Sequence, residues 1–171
     1  MIGDDMKKIL LFGVCTLFLL TGCQLGNTPT SQVEALLTKY QMLDEDISVN
    51  YVDLSNEELS DIDLQQKYQK LIQKQYKGLS YEVKEEKIDG EEAEVTVQIE
   101  VLNYGAEIQK YDVANYEQVA YHQKVVKALE ELSEKVTYTI DFEVIQNQKG
   151  EWRVSPIDSE ESQKLLGIYS K

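Results

Sequence analysis

The chain has 171 residues and is strongly acidic, with 31 Asp and Glu against 17 Lys and Arg and a formal net charge of −14. A chain of this charge has no basic patch to neutralise a phosphate backbone, so we expect no nucleic-acid partner. Hydrophobic residues make up 42% of the sequence and 11 residues are tyrosine, which indicates a folded domain because disordered chains contain few aromatic residues.

The start of the chain has the three-part layout of a secretory signal. Two lysines at positions 7 and 8 precede an apolar run from Ile9 to Leu20, and the tetrapeptide Leu20-Thr21-Gly22-Cys23 ends the segment. The run is shorter than the roughly 20 residues of a membrane-spanning helix, so we do not interpret it as a span. The tetrapeptide resembles the bacterial lipobox, and this resemblance implies cleavage after Gly22 and attachment of diacylglycerol to Cys23.

The lipobox predicts three segments. Residues 1–22 are a signal peptide that is removed, residues 23–27 are the acylated cysteine with a short tether, and residues 28–171 are long enough for one domain. The protein is then extracytoplasmic and anchored by lipid to a bacterial cell membrane. Because Cys15 lies in the removed segment, Cys23 is the one cysteine of the mature chain, and no disulfide within it is predicted.

Two amphipathic helices are predicted at the start of the domain. Thr28-Pro29 is typical of an N-cap followed by proline at the first helical position, and apolar residues at helical spacing predict a helix over 29–42. A second helix is predicted from a cap at Ser55 or Asn56 to about Lys77. The acidic stretch 43–63 contains no glycine of the kind that a calcium loop requires, so no metal site is predicted.

The hydrophobic pattern changes to a period of two after the second helix, which indicates strands with one apolar and one polar face. The elements that follow are predicted, in chain order, as strands 79–83 and 93–101 around a turn at Asp89-Gly90, a helix over 115–135, strands 136–144 and 152–154 around a turn at Lys149-Gly150, and a short helix over 158–169. This order favours an α+β fold, in which two hairpins form an antiparallel four-stranded sheet with helices packed on one face.

Three segments carry a resemblance to a group of small Gram-positive lipoproteins: TPTSQVEALLTKYQ at 28–41, QKYQKLIQKQYKGLSYEVKEEKIDGEEAEVTVQIEV at 66–101 and EWRV at 151–154. The order of helices before a curved sheet is similar to the cystatin-like and nuclear-transport-factor-2-like folds. The resemblance implies this architecture and no functional residue. The wider fold includes isomerases, dehydratases and non-catalytic modules, so the fold does not select an activity.

The sequence contains no recognisable catalytic motif. His122, the single histidine, is expected on the surface or rim of the third predicted helix. An isomerase-like pocket would use Asp141 as base with Tyr138 and Tyr81 as donors, following the pattern of an aspartate that works against a tyrosine. Tyr138 and Asp141 differ in strand parity and are expected on opposite faces, so we predict no catalytic residue, no metal and no cofactor.

Four tyrosines between the second strand and the third helix are candidates for the rim of a ligand cleft: Tyr104, Tyr111, Tyr116 and Tyr121. Tyrosine combines a large contact area with a polar tip, which suits an amphipathic binding surface. The alternative is that these residues pack, half-buried, between helix and sheet.

These features together favour a lipid-anchored, non-catalytic module that binds an envelope protein or a cell-wall component. The alternative is a small-molecule-binding or isomerase-type pocket in the concave face of the sheet. A filled concave face would favour the binding module, and a deep cleft with a buried carboxylate would favour the pocket.

Overall fold

The first helix follows its sequence pattern closely. In the computed structural model, which describes residues 26–170, helix α1 spans Pro29–Met42, as predicted. The Thr28 hydroxyl accepts the backbone N–H of Ser31, and the Ser31 hydroxyl accepts the backbone N–H of Thr28, so two of the free donors at the helix start are satisfied. The helix buries Val33 and Leu37 completely.

The second predicted helix is divided in two. Helix α2 spans Val52–Ser55 and ends at Asn56, whose backbone is left-handed with a φ of 59°. Helix α3 spans Ile62–Lys77, and the carboxylate of Asp61 caps it by accepting the N–H groups of two residues in its first turn. The predicted start at Ser55 or Asn56 is therefore wrong, because Asn56 adopts the left-handed conformation that asparagine tolerates and closes α2 instead.

Four strands form one antiparallel sheet in the order β1-β2-β3-β4. The strands are β1 Ser80–Asp89, β2 Glu92–Leu102, β3 Lys135–Gln146 and β4 Trp152–Val154. Gly90 lies in the β1–β2 turn with a φ of 64°, a conformation that glycine adopts without steric cost. The α+β class and the two hairpins are confirmed, while the cystatin-like or nuclear-transport-factor-2-like identity stays a prediction.

Helices before and after β3 complete the domain. Between residues 26 and 170 the remaining helical segments are α4 Tyr104–Ile108, a 3₁₀ turn Val113–Asn115, α5 Gln118–Glu131 and α6 Ser159–Leu166. Helix α5 is thus shorter at both ends than the predicted span of 115–135, since the 3₁₀ turn precedes it and the chain is already extended at Leu132. None of these helices, nor α1–α3, is long and apolar enough to cross a membrane.

The inner face of the sheet is filled by its own apolar side chains and by the helices that cover it. Alternate residues of β2 and β3 point inward and are fully buried, namely Val95, Val97, Ile99, Val101, Ile140, Phe142 and Val144. The residues between them point outward, as in the cross-strand pair Thr96 and Asp141. The sheet therefore has one buried face and one solvent-exposed face, as the period-two pattern predicts.

Asn27, near the start of the described residues, contacts the edge of β4. The Asn27 side-chain amide donates a hydrogen bond to the backbone carbonyl of Trp152 at 3.2 Å, and the Trp152 N–H donates to the Asn27 side-chain oxygen. Asn27 thereby satisfies both backbone groups of Trp152 that face away from β3.

Gln75 links α3 to the end of β2 and to α6. Its side chain is 1% exposed, and its amide nitrogen donates to the carbonyl oxygens of Leu102 and Leu166, both at 2.8 Å. Its amide oxygen accepts the N–H of Leu102 at 3.0 Å. One buried side chain therefore satisfies three backbone groups from two other elements.

Replacement of Gln75 by leucine removes all three hydrogen bonds at nearly constant volume. We expect the free energy of unfolding to fall by about 3 kcal/mol, because each buried polar group left without a partner costs roughly 1–3 kcal/mol. Urea denaturation at neutral pH measures this change. Gln66→Leu, at an exposed position of the same helix, is the control and should change stability by less than about 0.5 kcal/mol. Equal stabilities of the two variants would contradict the role given to Gln75.

Candidate functional site

A buried histidine connects three separate parts of the helical layer. His122 of α5 is 1% exposed, and its two ring nitrogens have different partners. Nδ1 lies 2.8 Å from the hydroxyl of Tyr68 on α3, and Nε2 lies 2.7 Å from a carboxylate oxygen of Glu57. Glu57 belongs to the connection between α2 and α3. We call these three residues the Glu57–His122–Tyr68 network.

Neighbouring side chains hold the network in place. The Gln118 amide, one turn before His122 on α5, donates to the second oxygen of Glu57. The Tyr121 ring meets the His122 ring edge-on with 5.0 Å between ring centroids. The Tyr68 and His122 rings are also edge-on, at 5.6 Å. Such perpendicular pairs are a favourable arrangement of aromatic rings, so the imidazole is fixed by packing as well as by hydrogen bonds.

The protonation states follow from the partners. The hydrogen bond from His122, and then that from Gln118, lower the pKa of Glu57, so this carboxylate is ionised and accepts from Nε2–H. Burial raises the pKa of Tyr68, so its hydroxyl keeps its proton and shares a hydrogen bond with Nδ1. The His122 ring thus has a hydrogen-bond partner at each of its nitrogens. Both of its nitrogens are therefore occupied, and neither is available as a base toward a bound molecule.

The expected position of His122 on the surface or rim is wrong. His122 lies three and four residues before Val125 and Val126, both buried, and so belongs to the apolar stripe of α5. This helical spacing in the sequence indicates that His122 is buried. No comparable signal exists for Glu57, which is separated from His122 by 65 positions and precedes the observed start of α3 at Ile62.

A cavity of about 330 Å³ adjoins the network. Its walls combine apolar side chains with one carboxylate and two tyrosines; the lining residues are Leu54, Ser55, Asn56, Glu57, Tyr68, Ile108, Val113, Tyr121 and Val125. Val113 at its wall is 57% exposed. The cavity can hold a small apolar group beside a negative charge, a combination that suits an aliphatic amine or a basic side chain of a partner.

The four tyrosines proposed as a cleft rim do not lie around one cleft. Tyr104 is completely buried and donates its hydroxyl proton to a carbonyl of α3, so it is a core residue and not a rim residue. Tyr121 lines the 330 Å³ cavity. Tyr111 lines a different, polar groove of about 590 Å³ between α4 and α5. Tyr116 is exposed, with the ammonium of Lys124 5.3 Å from its ring centroid.

The residues of the isomerase-like alternative are separated by the sheet. Asp141 accepts a hydrogen bond from the Thr96 hydroxyl on the outer face. Tyr138 and Tyr81 both pair with Ile99, whose side chain is buried on the inner face. The predicted opposition of Tyr138 and Asp141 is confirmed, because the β2–β3 register runs without interruption between them. An aspartate base and tyrosine donors at these positions cannot act on one substrate.

The predicted lipidation site lies outside the described residues. Cys23 and the lipobox residues Leu20, Thr21 and Gly22 precede Gly26, where the description of the chain begins. Within residues 26–170, no three His, Cys, Asp or Glu side chains are placed to hold a metal ion together. The candidate site is therefore the Glu57–His122–Tyr68 network with its adjoining cavity.

Comparisons of this chain with protein families, with curated proteins and with solved structures find no match. The interpretation of the site accordingly depends on its own geometry.

Replacement of Glu57 by glutamine tests the charge in the network. Because the pKa of Glu57 is lowered in the folded protein, its ionised form stabilises the fold fully at pH values above its ordinary pKa of 4.5. This stabilisation is lost as the pH falls through the lowered pKa. We expect Glu57→Gln to reduce Tm by about 3 °C at neutral pH, with a difference from wild type that shrinks in acid.

Thermal unfolding followed by circular dichroism between neutral pH and pH 3 provides the measurement for Glu57→Gln. Glu45→Gln removes the same charge at an exposed position after α1 and serves as the control. A Glu57→Gln protein whose Tm differs from wild type equally at all pH values would exclude a stabilising role of the ionised carboxylate.

Proposed function

We propose that this protein is a lipid-anchored extracytoplasmic protein of a bacterial cell envelope, whose α+β domain binds a partner without catalysis. The partner is an envelope protein or a cell-wall component. The lipobox-like tetrapeptide ending at Cys23 supports the anchor, because a short apolar run with a basic start and a terminal cysteine fits lipoprotein processing.

The filled inner face of the sheet is the observation that carries the binding-module proposal. A pocket enzyme on a curved sheet needs a space between the sheet and its helices, with polar groups that converge on it. Val97, Ile99, Ile140 and Phe142 are each at most 1% exposed and occupy this space. The buried polar side chains among the described residues are Ser55, Gln75 and His122, and no carboxylate is among them.

The contact between Asn27 and Trp152 supports a role close to the membrane. Four residue steps separate Cys23 from Asn27, a reach of at most about 14 Å for an extended chain. A lipid on Cys23 would therefore hold the β4 edge near the membrane surface, since Asn27 is bound to that edge. Partners within the same membrane are then within reach of the domain.

The cavity beside Glu57 favours a second candidate function, the binding of a small molecule. Its volume of about 330 Å³ fits a compact ligand, and Glu57 supplies a negative charge at its wall. A small apolar amine is the ligand class that this lining suits. The site lies among the helices and not in the concave face of the sheet, so it differs from the pocket expected from the sequence.

Replacement of Cys23 by alanine tests the anchor. We expect this variant to lose acylation and to be released from the membrane, because its thiol is the acceptor for the lipid. Labelling of cells with radioactive palmitate, followed by fractionation, measures both effects. Cys15→Ala removes the other cysteine and should leave labelling intact. Persistent labelling of the Cys23→Ala protein would contradict the lipobox assignment.

Crosslinking in intact cells tests the binding function. We expect the anchored protein to recover one specific partner, and the same domain secreted without Cys23 to recover it much less, because the anchor raises the local concentration of both proteins. Recovery of no specific partner from either form would contradict the binding module. Thermal shift with a panel of small aliphatic amines would then test the second candidate directly.

A further inference from the structure

Most of strand β3 has a free edge. Its neighbour β4 pairs only with Val144, Ile145 and Gln146, and one further hydrogen bond joins the Ser155 N–H to the Glu143 carbonyl at 2.8 Å. The chain then leaves the sheet after Ser155, at Pro156. The preceding part of β3 has β2 on one side and no strand on the other.

The register identifies the backbone groups on this edge. The Gln146 N–H donates to Glu91 on the β2 side, whereas the Glu143 carbonyl faces Ser155 on the opposite side. Because β2 and β3 pair without a bulge, the backbone N–H and C=O groups of successive β3 residues point alternately toward β2 and away from it. Thr137, Thr139 and Asp141 therefore direct both N–H and C=O away from β2. All three residues are exposed, and no backbone group within residues 26–170 bonds to these outward groups.

Strands β1 and β4 have features that discourage pairing with a further strand, and the segment 137–141 of β3 lacks them. Strand β1 carries a register shift between Val83 and Glu85, and bulges and lysines such as Lys84 discourage pairing at an edge. Strand β4 is only three residues long, and Asn27 occupies the outward groups of Trp152. The segment 137–141 has neither a bulge nor a lysine or proline.

A groove of about 580 Å³ lies beside the free edge. Residues of β3, α4, α6 and the C-terminal segment line it, including Gly105, Ala106, Tyr138, Lys164 and Tyr169. The Tyr138 hydroxyl donates to the Tyr169 carbonyl at 2.9 Å, and the two rings are edge-on. A strand added to an edge alternates its side chains between the two faces, so every second side chain of an added strand could enter such a groove.

We propose that an extended, basic segment of a partner protein pairs with β3 along Thr137–Asp141 and places a side chain in the adjoining groove. This proposal rests on the binding function proposed above and names its partner class. The unpaired N–H and C=O groups extend over about 14 Å, and their alternation matches the backbone of an extended polypeptide.

The charge of the chain distinguishes between a second copy of the chain and a different protein as the partner of the β3 edge. Asp141 and Glu143 project from β3 on the exposed face of the sheet, and the whole chain has a net charge of −14. A second copy paired through the same edge would bring two chains of net charge −14 together, which is unfavourable. A basic segment is attracted by the negative charge of the chain. The structure therefore favours a different protein over self-association.

Selection from a phage-displayed library of random ten-residue peptides tests the proposal, with the purified full-length protein in nonionic detergent as the target. Thr139→Pro removes one outward N–H without removing a bond to β2, since proline is tolerated at a free edge. Thr139→Val keeps the N–H and changes only the side chain. Ala106→Trp, at an exposed position of α4, fills the groove without changing β3 and provides a second variant should Thr139→Pro not fold.

We expect the selected peptides to be basic with alternating apolar residues. Their affinity should be retained by Thr139→Val and reduced about tenfold or more by Thr139→Pro and by Ala106→Trp. Hydrogen exchange should show protection of the Thr137 and Thr139 amides when peptide is bound.

Three outcomes would overturn the proposal. Peptides that bind wild type, Thr139→Pro and Ala106→Trp equally would place peptide binding elsewhere and leave the proposed binding function intact. A library from which no peptide is enriched would show that the edge is not a peptide site. Co-purification of two differently tagged copies, abolished by Thr139→Pro, would identify a second copy as the occupant. The crosslinking experiment in intact cells tests the binding function independently of all three.

Discussion

The apolar face of the β2–β3 hairpin is the constraint on which the rest of the domain depends. Its side chains lose most of their contact with water, and burial of apolar surface is the main favourable contribution to folding. A sheet with one such face must be covered; α1 and α6 pack over it, and α3 packs against both of these helices. This requirement also explains why the centre of the inner face, around Val97, Ile99, Ile140 and Phe142, is filled by apolar side chains.

Polar groups in the helical layer are retained only where their partners are complete. Gln75 satisfies three backbone groups, and His122 satisfies a tyrosine and a carboxylate. No buried side-chain nitrogen or oxygen between residues 26 and 170 lacks a hydrogen-bond partner. Both residues join elements distant in sequence, so they fix the relative positions of helices that apolar contacts alone would hold less specifically.

The features that support binding lie at the borders of this core. The cavity beside Glu57 forms where the chain between α2 and α3 leaves the helical layer. The free edge of β3 exists because β4 is short and the chain turns away at Pro156. Both features lie at the margin of the packed interior, which is consistent with the general tendency of binding residues to lie on connections and edges supported by a rigid scaffold.

Local patterns in the sequence determined much of the architecture. The cap at Thr28 and the apolar spacing after it define α1, and the period-two alternation defines the two hairpins with their inner and outer faces. These predictions succeed because capping and alternation depend on residues a few positions apart. The layout of residues 6–23 likewise predicts processing and localisation from local sequence, since signal recognition reads a linear segment.

Only the tertiary structure decided where the candidate sites lie. Glu57 meets His122 across 65 positions, and Tyr104 is buried while Tyr116 is exposed although both belong to one connection. The free edge at Thr139 depends on how many residues of β4 pair with β3. These properties follow from which surfaces come together after folding. Long-range packing is not encoded in the periodicity of any one segment, so sequence patterns could predict the elements but not the sites between them.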